Sequence, residues 1–143
     1  MKDSSPSGMA DRERHARAGP AEMMFTRDEL PDVRRLAATC ASGAGMPADA
    51  VDDFVIAVNE VATNAVRHGS PSAWLRLWTS AGDMVAEVRD SGQWAGGAPG
   101  GHPRRRQGDY GGMGLQITRL ICDAVQIQTG SHGTAVSLRM TLR

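Results

Sequence analysis

A glutamate, an asparagine and a histidine recur every fourth residue in the stretch NEVATNAVRHGS, as Glu60, Asn64 and His68. Mostly small or apolar residues lie between them. At about 100° per residue the three fall within one helical sector ~80° wide, beside the sector that carries the apolar set. Glu60 and Asn64 would stand one turn apart. Their carboxylate and carboxamide offer hard oxygen atoms that suit Mg²⁺ or an activated water. A solvated helix face accounts for the same pair, because polar side chains at this spacing are common on helices. Asn is a poor helix former, so Asn64 in a helix interior needs a reason. His68 fits the end of a helix, near the negative pole of its dipole.

Two glycine-bearing stretches and a threonine add to this set. In VRDSGQW, Asp90 sits at the end of a strand and Gly92 lets the backbone turn sharply or approach a flat ligand. A carboxylate there can accept a hydrogen bond from an exocyclic amine such as that of adenine. An ordinary Asp-Ser-Gly turn fits the same residues. In YGGMGLQITRLIC, Gly111, Gly112 and Gly114 precede an apolar-periodic helix, with Met113 and Leu115 in the same turn. Free backbone N–H groups at such a helix start bind anions, and glycines let them form a nest around phosphates. A flexible junction is the alternative. No Gly-Lys-Ser/Thr follows and no βαβ unit surrounds the turn, so neither of the common phosphate-loop fingerprints applies. Gly133-Thr134 opens the last strand, where the hydroxyl either faces the same cleft or serves the turn.

These residues need elements to position them. Residues 1–22 are polar and rich in Ser, Gly, Pro and charge, and read as a flexible tail before a domain at 23–143. Met23–Phe25 reads as a short strand. Thr26 or Asp28 caps a helix in which Leu30, Val33, Leu36 and Ala37 recur at helical spacing, ended by Gly43–Gly45. Pro47 and Asp49 start a second helix, with Phe54, Ala57, Val58, Val61, Ala62 and Ala65 on its apolar stripe. Ala73–Thr79 and Met84–Arg89 form a hairpin about Ser80-Ala81-Gly82-Asp83. Residues 91–112 form a long loop without apolar period. A helix is expected at about Gly114–Cys122, and Val125–Thr129 and Thr134–Leu142 close the chain as an antiparallel pair. The order predicts an α+β two-layer sandwich, with helices on one face of a mixed, mostly antiparallel sheet.

Composition sets the bounds. The chain has 143 residues, enough for one domain with a real core. Lys plus Arg number 16 and so do Asp plus Glu, so net charge gives no general reason to expect nucleic acid or an anionic membrane as partner. No apolar run is long enough to span a bilayer, and the first residues lack a secretory hydrophobic segment, so the expected location is the cytoplasm. Cys40 and Cys122 stand far apart outside any CxxC pattern and read as free thiols. The four histidines show no zinc-ligand spacing.

Taken in order, Glu60-x3-Asn64-x3-His68, Asp90-x-Gly92, Gly112-x-Gly114-Leu115 and Gly133-Thr134 resemble the ATP-binding domain shared by gyrase, Hsp90, histidine kinases and MutL, the GHKL superfamily. The length and the NEVATNAVRHG wording are most similar to its small bacterial branch, the anti-sigma-factor serine kinases. The resemblance covers roughly residues 24–142 and implies a Bergerat-type ATP-binding fold. It implies that Asn64 carries Mg²⁺ bridging the phosphates of ATP. Asp90 would read the adenine amine, with Gly92 giving room beside the base and Thr134 assisting. Residues 91–112 would be the ATP lid, and the turn Gly112, Met113, Gly114 and Leu115 would cradle phosphates. Glu60 would act as the base toward a protein serine. The implied partners are a sigma factor and an anti-sigma-factor antagonist, with a homodimer expected and neither nucleic acid nor membrane. Trp94 stands where the family has its second glycine after Asp90. That departure motivates the alternative of a regulatory binding module without catalysis. Arg104, Arg105 and Arg106 lie mid-lid, where they either neutralise phosphates or stay solvated. His15 lies in a charged tail unlike a histidine-kinase phosphoacceptor box.

Overall fold

The computed structural model describes residues 21–69, 71–91, 116–131 and 133–142. The first strand, β1, runs Ala21–Thr26. It starts ahead of the expected Met23, because Ala21 and Glu22 pair with Leu77 and Arg76 of the next strand. Glu22 also meets the Arg76 guanidinium at 3.2 Å. A 3-10 turn at Arg27–Glu29 then leads into helix α1, Leu30–Gly43. Thr26 is the cap, and its N–H donates to Glu29 Oε1 at 2.8 Å. Val33, Ala37 and Ala41 are the buried residues of α1.

Helix α2 runs Ala48–Asn64, with Pro47 in an extended conformation just before it and Asp49 in its first turn. Phe54, Ala57, Val58, Val61, Ala62 and Ala65 are all buried, as the periodicity predicts. Regular α-helix stops at Asn64, and Ala65–Gly69 form a π-helical turn. The wider i→i+5 ring shifts the phase of the residues that follow. The regular helical stripe that joins Glu60 to Asn64 therefore ends at Asn64.

Strand β2 is Ser72–Ser80 and β3 is Asp83–Asp90. Ala81 and Gly82 join them with φ of 53° and 82°. Left-handed backbone at both central residues is the type I′ pattern, whose twist matches that of the strands. Strands β4, Ala124–Gly130, and β5, Gly133–Thr141, form the closing hairpin. The sheet has five strands in the order β1-β2-β3-β5-β4. All four pairings are antiparallel, so the expected mixed sheet contains no parallel pair among the described strands. The last strand inserts beside β3, which leaves β4 at the edge.

Alternation along the strands separates two faces. Leu75, Leu77, Ala86, Val88, Val136 and Leu138 face the helices and are buried. Each of the leucines and valines among them contributes about 1.5–3 kcal/mol by leaving water. Helix α1 packs over β1 and β2, and α2 over β3 and β5. The opposite face carries charged pairs and tryptophans: the Arg76 guanidinium lies 5.2 Å from the Trp78 ring centroid, and Arg89 Nε lies 3.3 Å from Glu87 Oε2. Among the described residues no helix is long and apolar enough to cross a membrane.

Candidate functional site

The register builds the site. Successive transverse rows on the helix-facing side of the sheet are apolar: Leu77, Ala86, Leu138 and Val125 form one, and Leu75, Val88, Val136 and Ile127 the next. The following row reads Phe25, Ala73, Asp90, Thr134 and Thr129. Asp90 and Thr134 thus continue two core-facing series, Met84-Ala86-Val88 and Val136-Leu138-Met140, but bring a carboxylate and a hydroxyl. Both are buried, with relative exposures of 7% and 2%. A polar pair at the end of an apolar surface costs desolvation unless something hydrogen-bonds to it. Thr134 Oγ1 has no hydrogen-bond partner among the described residues. A recess of about 340 Å³ opens here, lined by Asp90, Thr134, Thr129, Gly130, Ser131 and Gly133 among others. Gly133 has φ of 128°, which an L side chain rarely adopts, so glycine is needed where the hairpin turns into the recess wall.

The same end of the sheet receives helix α2. From Asn64 the chain passes through the π-helical turn and enters β2 at Ser72, and that turn packs on β2 and β3. Ala73, the second residue of β2, is the cross-strand neighbour of Asp90. Asn64 is buried at 8% exposure, and Glu60, one turn earlier, is partly exposed. The carboxamide therefore ends the helix beside the recess end of the sheet, and the carboxylate stands farther out on the same helix. On the α1 side of α2, Arg34 Nη1 donates to Asn59 Oδ1 at 3.0 Å and ties the two helices together one residue before Glu60.

Four of the expected site residues thus fall on three elements: Glu60 and Asn64 on α2, Asp90 on β3 and Thr134 on its partner strand β5. Gly92, Gly112, Met113, Gly114 and Leu115 lie outside the described residues, as do Trp94, Arg104–Arg106 and all of the expected lid beyond Ser91. The described part of the following helix is 116–121, with Thr118 buried within it. Sequence reading did not mark Thr118 or the recess residues Thr129 and Ser131. Thr129 was legible in principle, because it pairs with Thr134 across the hairpin that the glycines define.

The described groups suit a ligand with an amine edge and, at Asn64, a hard cation. A buried carboxylate accepts from an amine, and a buried hydroxyl without a partner can either donate or accept. Asn64 Oδ1 is a hard oxygen suited to Mg²⁺. No cluster of His, Cys, Asp and Glu able to hold a metal ion occurs among the described residues. A cation here would therefore depend on the carboxamide together with oxygens of its ligand. Both cysteines are free. Burial pushes the Cys122 thiol up to about 12, helped by the carboxylates of Asp123 and Asp53. That keeps it protonated and unsuited to nucleophilic work.

Comparisons with known proteins agree with this fold. The family model of the histidine kinase-like ATPase domain matches residues 24–140. Among solved structures, the chain is similar to the RsbU and RsbW domains of Rv1364c from Mycobacterium tuberculosis, with 22% identity and a TM-score of 0.63. That match covers 85% of this chain but 32% of the other, so the chain spans about a third of that protein's length. It is also similar to the histidine kinase domain of the Erythrobacter litoralis EL346 blue-light activated histidine kinase, at 19% identity and a TM-score of 0.52, covering 99% of this chain and 76% of that one. The SiaB–SiaC complex from Pseudomonas aeruginosa gives 13% identity and a TM-score of 0.56 over 95% of this chain and 97% of that one. At these identities the structural matches speak to fold. No curated protein matches the chain. The family match spans nearly every described element, and the chain belongs to the histidine kinase-like ATPase domain family.

Proposed function

We propose that the protein binds ATP with Mg²⁺ and acts as an anti-sigma factor and protein serine kinase. It would hold a sigma factor and phosphorylate an anti-sigma-factor antagonist. The observation that carries this reading is the buried Asp90–Thr134 pair at the end of the sheet, beside the helix end that bears Asn64, in a chain of this family. The likeness to a fold that includes an RsbW domain, and to one solved as a SiaB–SiaC complex, supports a regulatory partner rather than a metabolite as the substrate. A sigma factor as partner puts its action in the cytoplasm.

In this reading Asp90 accepts a hydrogen bond from the exocyclic amine of adenine. Guanine presents a carbonyl oxygen at that edge and would be repelled. Thr134 supplies a second hydrogen bond beside the base. Asn64 would hold Mg²⁺, which would supply positive charge against the phosphates. Gly112, Met113, Gly114 and Leu115 would bind phosphate oxygens through backbone N–H groups. Glu60, one turn earlier on α2 and partly exposed, takes the proton from the antagonist's serine hydroxyl as its oxygen bonds to the γ-phosphorus; the bond from that phosphorus to the β–γ bridging oxygen breaks and ADP leaves. Phosphoryl transfer asks mainly for positioning and charge neutralisation, which this set of groups supplies.

Trp94 in the place of the family's second glycine favours a second reading, a module that sequesters its partner without phosphorylating it. One experiment separates the two. The protein is incubated with γ-labelled ATP, Mg²⁺ and its cognate antagonist. The kinase reading expects phosphoserine on the antagonist, lost in Glu60→Gln while ATP binding persists. Binding of ATP and partner without any transfer would select the module.

A further inference from the structure

Two hydroxyls of the recess, those of Thr129 and Ser131, have no part in the ATP reading. Thr129 is the one whose place the register fixes. Asp90, Thr134 and Thr129 form one transverse row across β3, β5 and β4. Antiparallel partners share a face, so all three side chains stand on the helix-facing side of the sheet. Thr129 is exposed at the outer end of that row, and it lines the recess together with the other two.

The hairpin sets how near the two threonines come. Gly130 and Gly133 are partners with two residues between them, so they close the hairpin as a hydrogen-bonded pair. Alternation then makes Thr129 and Thr134 a non-hydrogen-bonded pair, the kind with Cα atoms about 4.5 Å apart and the closer side chains. Threonines so placed can bond to each other through their hydroxyls. Here they do not: Thr134 Oγ1 has no partner among the described residues, although Thr134 is only 2% exposed. A buried hydroxyl that leaves its neighbour unbonded is set to meet a third group, and the recess is where such a group fits.

We infer that Thr129 is a specificity-determining residue that reads the C2 position of a bound purine. The inference rests on the proposed reading, in which Asp90 accepts from the C6 amine of adenine. Asp90 and Thr129 lie two strand spacings apart, about 10 Å. Two hydrogen bonds of about 2.9 Å each leave the width of one purine edge, from the group on C6 to the group on C2. Thr134, midway along the row, faces the ring nitrogen N1 and donates to it. Thr129 Oγ1 then faces C2. Adenine carries only hydrogen there, whereas an amine on C2 would donate to the hydroxyl oxygen. The recess therefore takes nucleotides of purines with an amine on C6, and it favours those with a second amine on C2. Guanine is refused for its C6 carbonyl, not for its C2 amine.

The test is calorimetric titration of the full chain, in Mg²⁺, with ATP and with diaminopurine riboside triphosphate, which differs from ATP only by an amine on C2. In the wild type the diaminopurine nucleotide should bind about 2–10-fold tighter than ATP, the worth of one neutral hydrogen bond. In Thr129→Val that preference should disappear. In Thr129→Ser, which keeps the hydroxyl, it should persist. Thr129 is exposed, so both changes leave the core untouched, and circular dichroism checks that each variant is folded. ATP binding with no preference for the second amine in the wild type would overturn the role of Thr129 and leave the ATP reading standing. So would a preference that survives in Thr129→Val, or one lost equally in Thr129→Ser. A wild type that binds neither nucleotide would overturn both.

Discussion

Asp90 on β3 and Thr134 on β5 are cross-strand partners, and both are buried where the helix-facing apolar rows of the sheet end. The pair brings a carboxylate and a hydroxyl to the end of an otherwise hydrophobic surface. Its position follows from strand alternation alone: each residue lies two places beyond a valine of the core, Val88 and Val136. The glycine-bearing hairpin of β4 and β5 closes one side of the recess in front of them.

Thr134→Val tests whether the hydroxyl serves a ligand or the fold. The Oγ1 atom has no partner among the described residues, so the isosteric change should keep or slightly raise the stability of the free protein. ATP affinity should fall about 2–10-fold, the worth of one neutral hydrogen bond. Thermal unfolding and calorimetric titration read the two effects. A less stable protein with unchanged affinity would give the hydroxyl a purely structural role.

Asn64 and Glu60 should separate by phenotype. In Asn64→Ala the gain in ATP affinity that Mg²⁺ confers should largely vanish. In Glu60→Gln that gain should remain while phosphotransfer is lost. Titrations with Mg²⁺ and with a chelator, run on both variants, check this. A full Mg²⁺ effect in Asn64→Ala would remove Asn64 from the metal site.

Cys122 predicts a pH dependence. Burial first, and then the Asp123 and Asp53 carboxylates, raise its thiol from the ordinary 9.0 to about 12 in the folded protein. Between these values the folded state holds the proton more tightly than the unfolded state does. The contribution is therefore fully present below pH 9.0 and is lost as the pH rises toward about 12. Stability measured in denaturant should fall with a shallower slope in Cys122→Ala than in the wild type over this range. Below pH 9.0 the Cys122 thiol should resist alkylation until the protein unfolds.

Ala81 is a non-glycine residue with φ of 53°, in the first central position of a type I′ turn. Left-handed backbone costs an alanine about 1–2 kcal/mol, and asparagine tolerates it better. Ala81→Asn should stabilise the protein by roughly 0.5–1 kcal/mol, read as a higher unfolding midpoint with unchanged nucleotide affinity.

Much of the fold was legible because it is local. The apolar stripe of α2 from Phe54 to Ala65 has one clear period, and the turns at Gly82 and Gly133 are marked by the glycines that left-handed backbone requires. The insertion of β5 between β3 and β4 was not legible, because it depends on contacts between distant segments. The π-helical turn at Ala65–Gly69 was hidden for a different reason: a 3.6-residue period assumes regular hydrogen bonding and cannot show where it changes. Of the candidate site, the polar character of Asn64, Asp90 and Thr134 and their places at element ends were legible, and the structure adds that all three are buried. Thr129 and Ser131 were missed because only the register shows that they border the same recess.

The most direct measurement of the central claim is calorimetric titration of the protein with ATP and with GTP, in Mg²⁺, for the wild type and Asp90→Asn. The account predicts one ATP bound per chain, little or no GTP binding, and a loss of about 10–100-fold in ATP affinity in the variant, the worth of a charge-assisted hydrogen bond. Equal binding of ATP and GTP by the wild type, or ATP binding unchanged in Asp90→Asn, would contradict it.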